Sequence, residues 1–355
     1  MNNLQQVCVE ENIKIAEAIK KLDEAGKKIL LVTKDLKLTG IITDGDVRRW
    51  ILRNGSFEEK VCNLMHRNPK VLGRGEIEKA KRMMLELQIE AVPVIDENNI
   101  PLDIIFLRDI IEPSQQEFGQ IDIPVVIMAG GKGTRLYPYT NILPKPLIPI
   151  GTDTILERII ESFRKNGNEE FWLVLNYKKN LIKAYLSEKD KPYRIHYIEE
   201  ENYYGTCGGI SLLEDEISGT FFVSNCDVLL DIDYAKLLDF HCTNQNEITV
   251  VTSLKHIQIP YGVVELGKEG EIEQLSEKPM LNYNVNTGIY VVEASVIKDI
   301  PKHQVFHMTD LMNKLLKEKR KIGAYPITDY CWQDMGELKE MYKMSDAFRN
   351  QESLV

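Results

Sequence analysis

The stretch Val125–Thr140, VVIMAGGKGTRLYPYT, decides how the rest of the chain is read. An apolar run of strand character ends in Gly130, Gly131 and Gly133, with Lys132 and Arg135 set among them. LPKP follows, and it holds Lys145 in a stiff segment between two prolines. Glycines at a strand end let main-chain N–H groups close on anionic oxygens, and an arginine adds a bidentate fork for phosphate. Two familiar phosphate loops do not fit. A dinucleotide fingerprint needs a third glycine where Leu136 stands, and a P-loop needs Gly-Lys-Ser/Thr where Gly133 is followed by Thr134 and Arg135. A tight strand-to-helix turn without a ligand is the plain alternative, and the cations weigh against it.

Outward from this stretch, strand-like and helix-like runs alternate. PVVIMA, FWLVLNY, RIHYIEE, TFFVSN, EITVVTSL and TGIYVV read as strands. TDTILERIIESFRKNG reads as a helix, with a Thr/Asp start, apolar residues at helical spacing and an Asn-Gly stop. This interleaving predicts a Rossmann-like α/β domain with a mixed, mostly parallel sheet and ligands at the strands' carboxyl ends.

Composition excludes several classes. The 355 residues carry 44 Lys+Arg against 54 Asp+Glu, a net charge of −10, with no basic block. No nucleic-acid or anionic-membrane partner is therefore expected. No apolar signal segment opens the chain, and no apolar run approaches the ~18 residues of a membrane span. The six cysteines, Cys8, Cys62, Cys207, Cys226, Cys242 and Cys331, are scattered. They read as reduced thiols of a cytoplasmic protein.

Ahead of the α/β region, residues 13–48 and 76–111 run in parallel without a gap: AIKKLDEAGKKILLVTKDLKLTGIITDGD faces AKRMMLELQIEAVPVIDENNIPLDIIFLRD. Neither half of such a repeat buries its apolar face alone. The organisation read from this is a repeat module over 1–112, a polar linker at 113–121 and a second domain over 122–355. The repeat resembles a tandem pair of CBS domains, a Bateman module. That resemblance implies an adenine or guanine nucleotide site, with Thr43 meeting a phosphate and Asp46 the ribose, and a regulatory or dimerising role. In the second copy Phe106 stands where the hydroxyl should be. Capping of the helix after Thr43 is the plain reading of the same residues.

The longer part, from Ile123 to about Phe348, resembles the sugar-1-phosphate nucleotidyltransferases. The resemblance rests on GGKGTRLYPYT with LPKP, then SNCDVLL, PYGVVE, SEKP, NVNTGIYVV and WQDMGE in family order. It implies attack of a sugar-1-phosphate oxygen on the α-phosphorus of a nucleoside triphosphate, expelling pyrophosphate. Arg135, Lys145 and Asp227 are the expected catalytic residues. Met128, Ala129, Gly130, Gly131, Gly133, Thr134, Glu200, Gly205 and Thr206 would bind the nucleotide. Gly262, Glu277, Lys278, Asn286 and Thr287 would bind the sugar phosphate, and Asp227 with Asp334 would hold Mg²⁺. Met335-Gly336-Glu337 departs from the family's usual Gly-Thr after that second aspartate.

Singly, each residue has a dull reading. Lys145 and Lys278 could be exposed cations beside proline turns, Asp227 a strand-end turn residue, Asp334 a helix N-cap, and Glu200 a solvated acid. As a carboxylate, Glu200 only accepts hydrogen bonds, and guanine offers two adjacent donors, so GTP is the expected substrate. Thymidylyl, uridylyl and cytidylyl transfer are the alternatives, as is a nucleotide-sensing regulatory subunit. Glu277 suits an amino sugar. A CBS pair ahead of a short transferase is similar to the guanylyltransferases that make GDP-glucosamine from glucosamine 1-phosphate for bacterial legionaminic acid. A homodimer is expected from the Bateman module, and no appended acyltransferase repeat is expected after the transferase domain.

Overall fold

The computed structural model describes residues 4–27, 29–76, 79–80, 83–84, 87, 89, 91–106, 121–327 and 329–352. The chain divides into two compact units. One comprises residues 1–116 with 254–284 and 326–330; the other comprises 117–253, 285–325 and 331–355.

In the N-terminal unit the repeat becomes two small sheets. The first copy gives β1 (Cys8–Glu10), α1 (Ile15–Ala25), β2 (Ile29–Lys34), β3 (Lys37–Thr43), α2 (Asp44–Leu52) and β4 (His66–Arg67). The second gives β5 (Leu72–Gly73), β6 (Ala91–Ile95) and β7 (Pro101–Phe106). In each copy a parallel pair is followed by an antiparallel one: β1 with β2 then β2 with β3, and β5 with β6 then β6 with β7. Each copy has a register irregularity in its antiparallel pair, between Val32 and Thr33 and between Val94 and Ile95, one residue apart in the alignment of the two copies. On α1, Ile15, Ala18, Ile19 and Leu22 form the buried stripe that helical spacing requires. The end of the second copy and the linker as far as Gln120 lie outside the described residues. Leu30, Val32, Ile42, Val47 and Val61 share a core with Leu254, so the repeat read as 1–112 forms only part of its unit.

The second unit is built on β8 (Val125–Met128), α3 (Ile155–Arg164), β9 (Glu170–Leu175), α4 (Lys179–Ser187), β10 (Arg194–Glu199), β11 (Thr220–Asn225), β12 (Val228–Leu230) and α5 (Tyr234–Thr243). β13 (Ile248–Gln258) follows, then the hairpin β14 (Gly262–Leu266) and β15 (Ile272–Glu277), which belongs to the N-terminal unit. β16 (Met280–Glu293), α6 (Met308–Lys317), β17 (Ile322–Ile327), β18 (Trp332–Asp334) and α7 (Leu338–Glu352) complete the chain.

The main sheet has seven strands in the order β10-β9-β8-β11-β16-β13-β17. β10, β9, β8 and β11 are mutually parallel, whereas β16 runs antiparallel to β11. The fold is thus mixed α/β and mostly parallel where the expectation placed the nucleotide. From β8 the chain steps outward to β9 and β10, then returns to β11 on the other side of β8. That reversal opens a crevice at the carboxyl ends of β8 and β11. Val125, Val126 and Ile127 are fully buried, which suits a central parallel strand covered on both faces. Among the described residues no helix is long and apolar enough to cross a membrane, and the six cysteines form no disulfide.

Candidate active site

A cleft of about 520 Å³ lies at this crevice. The loop after β8 supplies Met128, Gly130, Gly131, Lys132, Gly133, Thr134 and Arg135 to its lining. Gly133 has φ +64°, a left-handed conformation that favours glycine, and a Cβ there would lie 2.9 Å from Thr140 and 3.1 Å from the Cβ of Lys145. The Thr140 hydroxyl donates to the Gly133 carbonyl at 3.0 Å and ties the turn down. Ala129, also expected to bind nucleotide, is buried, and its N–H donates to the Val174 carbonyl at 2.9 Å. It anchors the loop's start and does not line the cleft.

Lys145 is only 8% exposed, which rules out the reading as a solvated cation beside a proline turn. Its ammonium ion-pairs with the Asp227 carboxylate. Asp227 follows β11 and lines the same cleft. Asp334 ends β18 and sits in register with Val228, while the Met335 N–H donates to the Asp227 carbonyl at 2.8 Å. The two aspartates are therefore neighbours across a short antiparallel ladder, and Asp334 is a strand residue, not a helix cap. Burial and then the charge of Asp227 push the Asp334 carboxyl up, against Lys145, the Gly336 N–H and Arg135. The unusual Met-Gly after Asp334 has a physical account here: Met335 is buried and Gly336 contributes its amide.

Among the described residues, no group of three or more His, Cys, Asp or Glu side chains could form a protein-only metal cage. Two adjacent carboxylates suit a different arrangement. Mg²⁺ takes one or two carboxylates and completes its shell with substrate phosphates and water.

The loop after β10 contributes Glu200, Tyr203, Gly205 and Thr206 to the same cleft. Glu200 is 2% exposed, so it is no solvated acid. Its Oε1 is buried without a hydrogen-bond partner among the described residues, and burial pushes its carboxyl up to about 7 against a hydrogen bond from the Tyr204 N–H. The loop is clamped through its main chain. Cys207 and Gly208 donate N–H groups to the Phe306 carbonyl at 3.1 and 3.0 Å, and the Phe306 N–H returns to the Tyr204 carbonyl at 2.9 Å.

The cleft thus gathers most of the expected nucleotide residues with Arg135, Lys145 and Asp227. It does not include the expected sugar residues. Asn286 donates to the Tyr290 hydroxyl at 2.7 Å and accepts from the Gly288 N–H at 2.9 Å, and the buried Thr287 hydroxyl donates to the Val251 carbonyl at 2.9 Å. Gly262, Glu277 and Lys278 belong to the hairpin of the N-terminal unit. There Gly262 pairs with Glu277, and the Lys278 N–H donates to the Tyr261 carbonyl at 3.2 Å. Lys132, Tyr203, Asn225, Cys226 and Gly336 also line the cleft and were not singled out from sequence as binding residues. Lys132 and Tyr203 lie in the glycine-rich loops after β8 and β10, and their cationic and aromatic character is the sequence signal that marks them.

In the N-terminal unit, Thr43 and Asp46 form a capping box at the start of α2. The Thr43 hydroxyl and N–H donate to the Asp46 carboxylate at 2.6 and 2.8 Å, and Arg49 holds its other oxygen at 2.5 Å. A separate cavity of about 230 Å³ is lined by Leu4, Gln6, Val7, Lys27, Asp103, Ile104 and Phe106, with the Lys27 ammonium 5.0 Å from the centre of the Phe106 ring.

Comparison with known proteins bears on the family and the fold. The nucleotidyl transferase family profile matches residues 124–351, and the CBS domain profile matches 4–53 and 61–114. The bifunctional protein GlmU of Methanococcus maripaludis is 32% identical over 236 residues, 63% of this chain and 54% of its own length. A mannose-1-phosphate guanyltransferase of Yarrowia lipolytica is 29% identical over 245 residues, 65% of this chain and 67% of its own. The chain therefore spans about half the length of the Methanococcus relative. The crystal structure of HddC from Yersinia pseudotuberculosis superposes with a TM-score of 0.52 at 25% identity, covering 64% of this chain and 99% of that one.

Proposed function

Because the chain belongs to the nucleotidyl transferase family and carries a CBS pair ahead of that fold, we propose that it joins GTP to a hexose 1-phosphate, releasing pyrophosphate. The observation that carries this reading is a single cleft that gathers two chemistries. Its lining holds Gly130, Gly131 and Gly133, Arg135 and the Lys145–Asp227 pair, together with a buried carboxyl whose Oε1 has no hydrogen-bond partner among the described residues. The sugar-phosphate oxygen forms a bond to the α-phosphorus as the α–β bond to the pyrophosphate oxygen breaks. Both reactants are polyanions, so alignment and charge neutralisation are the main catalytic tasks. Arg135 and the loop amides hold the triphosphate and favour the departing pyrophosphate. Lys145 faces the charge that develops at the α-phosphate. Asp227 and Asp334 would hold Mg²⁺, which would supply further neutralisation of the phosphate oxygens.

Glu200 underlies the choice of GTP, since its carboxylate matches the adjacent N1–H and N2 amino donors of guanine. Glu277 and Lys278 are assigned to the sugar phosphate, Lys278 to its phosphate and Glu277 to an amino group. Glucosamine 1-phosphate is accordingly the acceptor we favour, giving GDP-glucosamine for nonulosonic (legionaminic) acid or another surface glycan. The name of the Yarrowia relative makes mannose 1-phosphate the second acceptor to test. The CBS pair is assigned the binding of an adenine or guanine nucleotide that modulates turnover, in a cytoplasmic homodimer. Pyrophosphate release from each triphosphate with a panel of hexose 1-phosphates tests the whole reading. GTP with glucosamine 1-phosphate should give the highest kcat/KM, and a preference for a pyrimidine triphosphate at neutral pH and above would overturn the Glu200 assignment.

A further inference from the structure

The carboxyl of Glu200 is held in a slot it cannot easily leave. A Cβ on Gly130 would lie 2.7 Å from its Oε2, and one on Gly209 would lie 2.5 Å from its Oε1 and from Val174 Cγ1. Both oxygens therefore lie close against main chain, and the side chain has little room to present a different edge. What it can change is its proton. A carboxylate offers two acceptors, whereas a carboxylic acid offers one O–H donor beside an acceptor. The first pattern fits the paired donors of guanine. The second fits the N3–H donor and neighbouring carbonyl of uracil or thymine.

Resting on the assignment of Glu200 as the base reader, we propose that this carboxyl selects the base through its protonation state. One cleft then takes two classes of nucleoside triphosphate, guanine when the carboxyl is ionised and uracil or thymine when it is protonated. The unpartnered Oε1, buried at the edge of a cleft large enough for a nucleotide, is the group left to be satisfied by ligand. Its surroundings favour a proton near neutrality, because burial dominates and only the Tyr204 amide opposes it. Tyr203, which faces it, stays neutral over the same range, since burial and then the charge of Glu200 push its hydroxyl up. The Cys226 thiol near Tyr203, pushed up by burial to about 12, stays neutral as well. Asn176 contributes an amide, whose Nδ2 donates to the Glu200 carbonyl at 3.1 Å. The cleft's Lys132, Arg135, Lys145 and Asp227 are not among the influences on Glu200.

The test is equilibrium binding of the full-length protein to GTP and to UTP with Mg²⁺, without sugar phosphate, from pH 6 to 8.5. If each form of the carboxyl binds one base, the ratio of affinities changes by about tenfold per pH unit, towards GTP as pH rises. Titration of the phosphates and of the aspartates is common to both nucleotides and cancels in the ratio. Glu200→Gln fixes one donor and one acceptor, so its ratio should favour UTP and stay flat with pH. A wild-type ratio that favours GTP equally at every pH would sink the proton switch and leave the guanine assignment standing. A slope that survives in Glu200→Gln would sink it too. Failure to bind GTP better than UTP even at pH 8.5 would sink the guanine assignment itself. Should the variant not fold, the wild-type slope decides alone.

Discussion

Lys145 and Asp227 form a largely buried ion pair whose two charges are needed for different tasks. Removing one member strands the other in a poorly solvated site. Lys145→Ala should therefore lower kcat by at least about 100-fold, the scale on which preorganised charges act on a transition state. The Asp227→Ala, Asp334→Ala double variant should lose turnover entirely while its thermal melt shows a folded protein, and retained turnover would refute the metal assignment. EDTA should likewise stop pyrophosphate release, with Mg²⁺ restoring it. At this scale much of the cleft was legible. Arg135, Lys145, Asp227 and Asp334 stand in short motifs beside glycines, prolines or strand ends, where local sequence constrains position. The part played by Phe306 was not, because it acts through its carbonyl and N–H, which every non-proline residue possesses.

The helix α3 shows how an element secures the wall of the sheet from its own first turn. Thr154 accepts from the Glu157 N–H at 3.3 Å, and its own N–H and hydroxyl donate to the Glu157 carboxylate at 3.0 and 2.9 Å. Burial pushes the Glu157 carboxyl up, but Lys189, the Thr154 N–H and hydroxyl, and Tyr185 together hold it at about 2. A carboxyl held below its ordinary 4.5 stabilises the fold above that value, and the contribution fades as pH falls from 4.5 towards 2. Glu157→Gln should cost about 1 kcal/mol at pH 7, the usual worth of a cap, or a Tm lower by about 2–4 °C. The gap between wild type and variant should narrow below pH 4, as followed by circular dichroism, and a gap that is constant with pH would show that the charge is irrelevant. This helix was readable from TDTILERII because capping chemistry and apolar spacing agree there. The strand that carries Asp334 was not, since WQD is too short for any period and forms only through its pairing with Val228–Leu230.

At the scale of the whole molecule, the N-terminal unit takes in residues 254–284 and 326–330, and Leu254 lies in its core. Deleting residues 1–116 removes most of that unit and leaves Leu254, fully buried in the intact chain, without its cover. We expect residues 117–355 alone to bind a hydrophobic dye and to elute as aggregates, whereas the full chain should not. Clean monomeric behaviour of the shortened chain would contradict this. Sequence revealed the repeat and the start of the transferase region because both are local patterns. It could not reveal that a later segment completes the earlier core, because no local pattern marks which distant residues share a core.

The clamp between the base loop and Phe306 also bears on how new specificities could be built. Residues 204–208 are bonded through their main chain to a strap that leads directly into α6. A recombinant chimera that imports only a relative's base loop would inherit a strap shaped for another backbone path. Exchange of nucleotide preference by modular transplantation should succeed when residues 200–209 and 303–308 travel together.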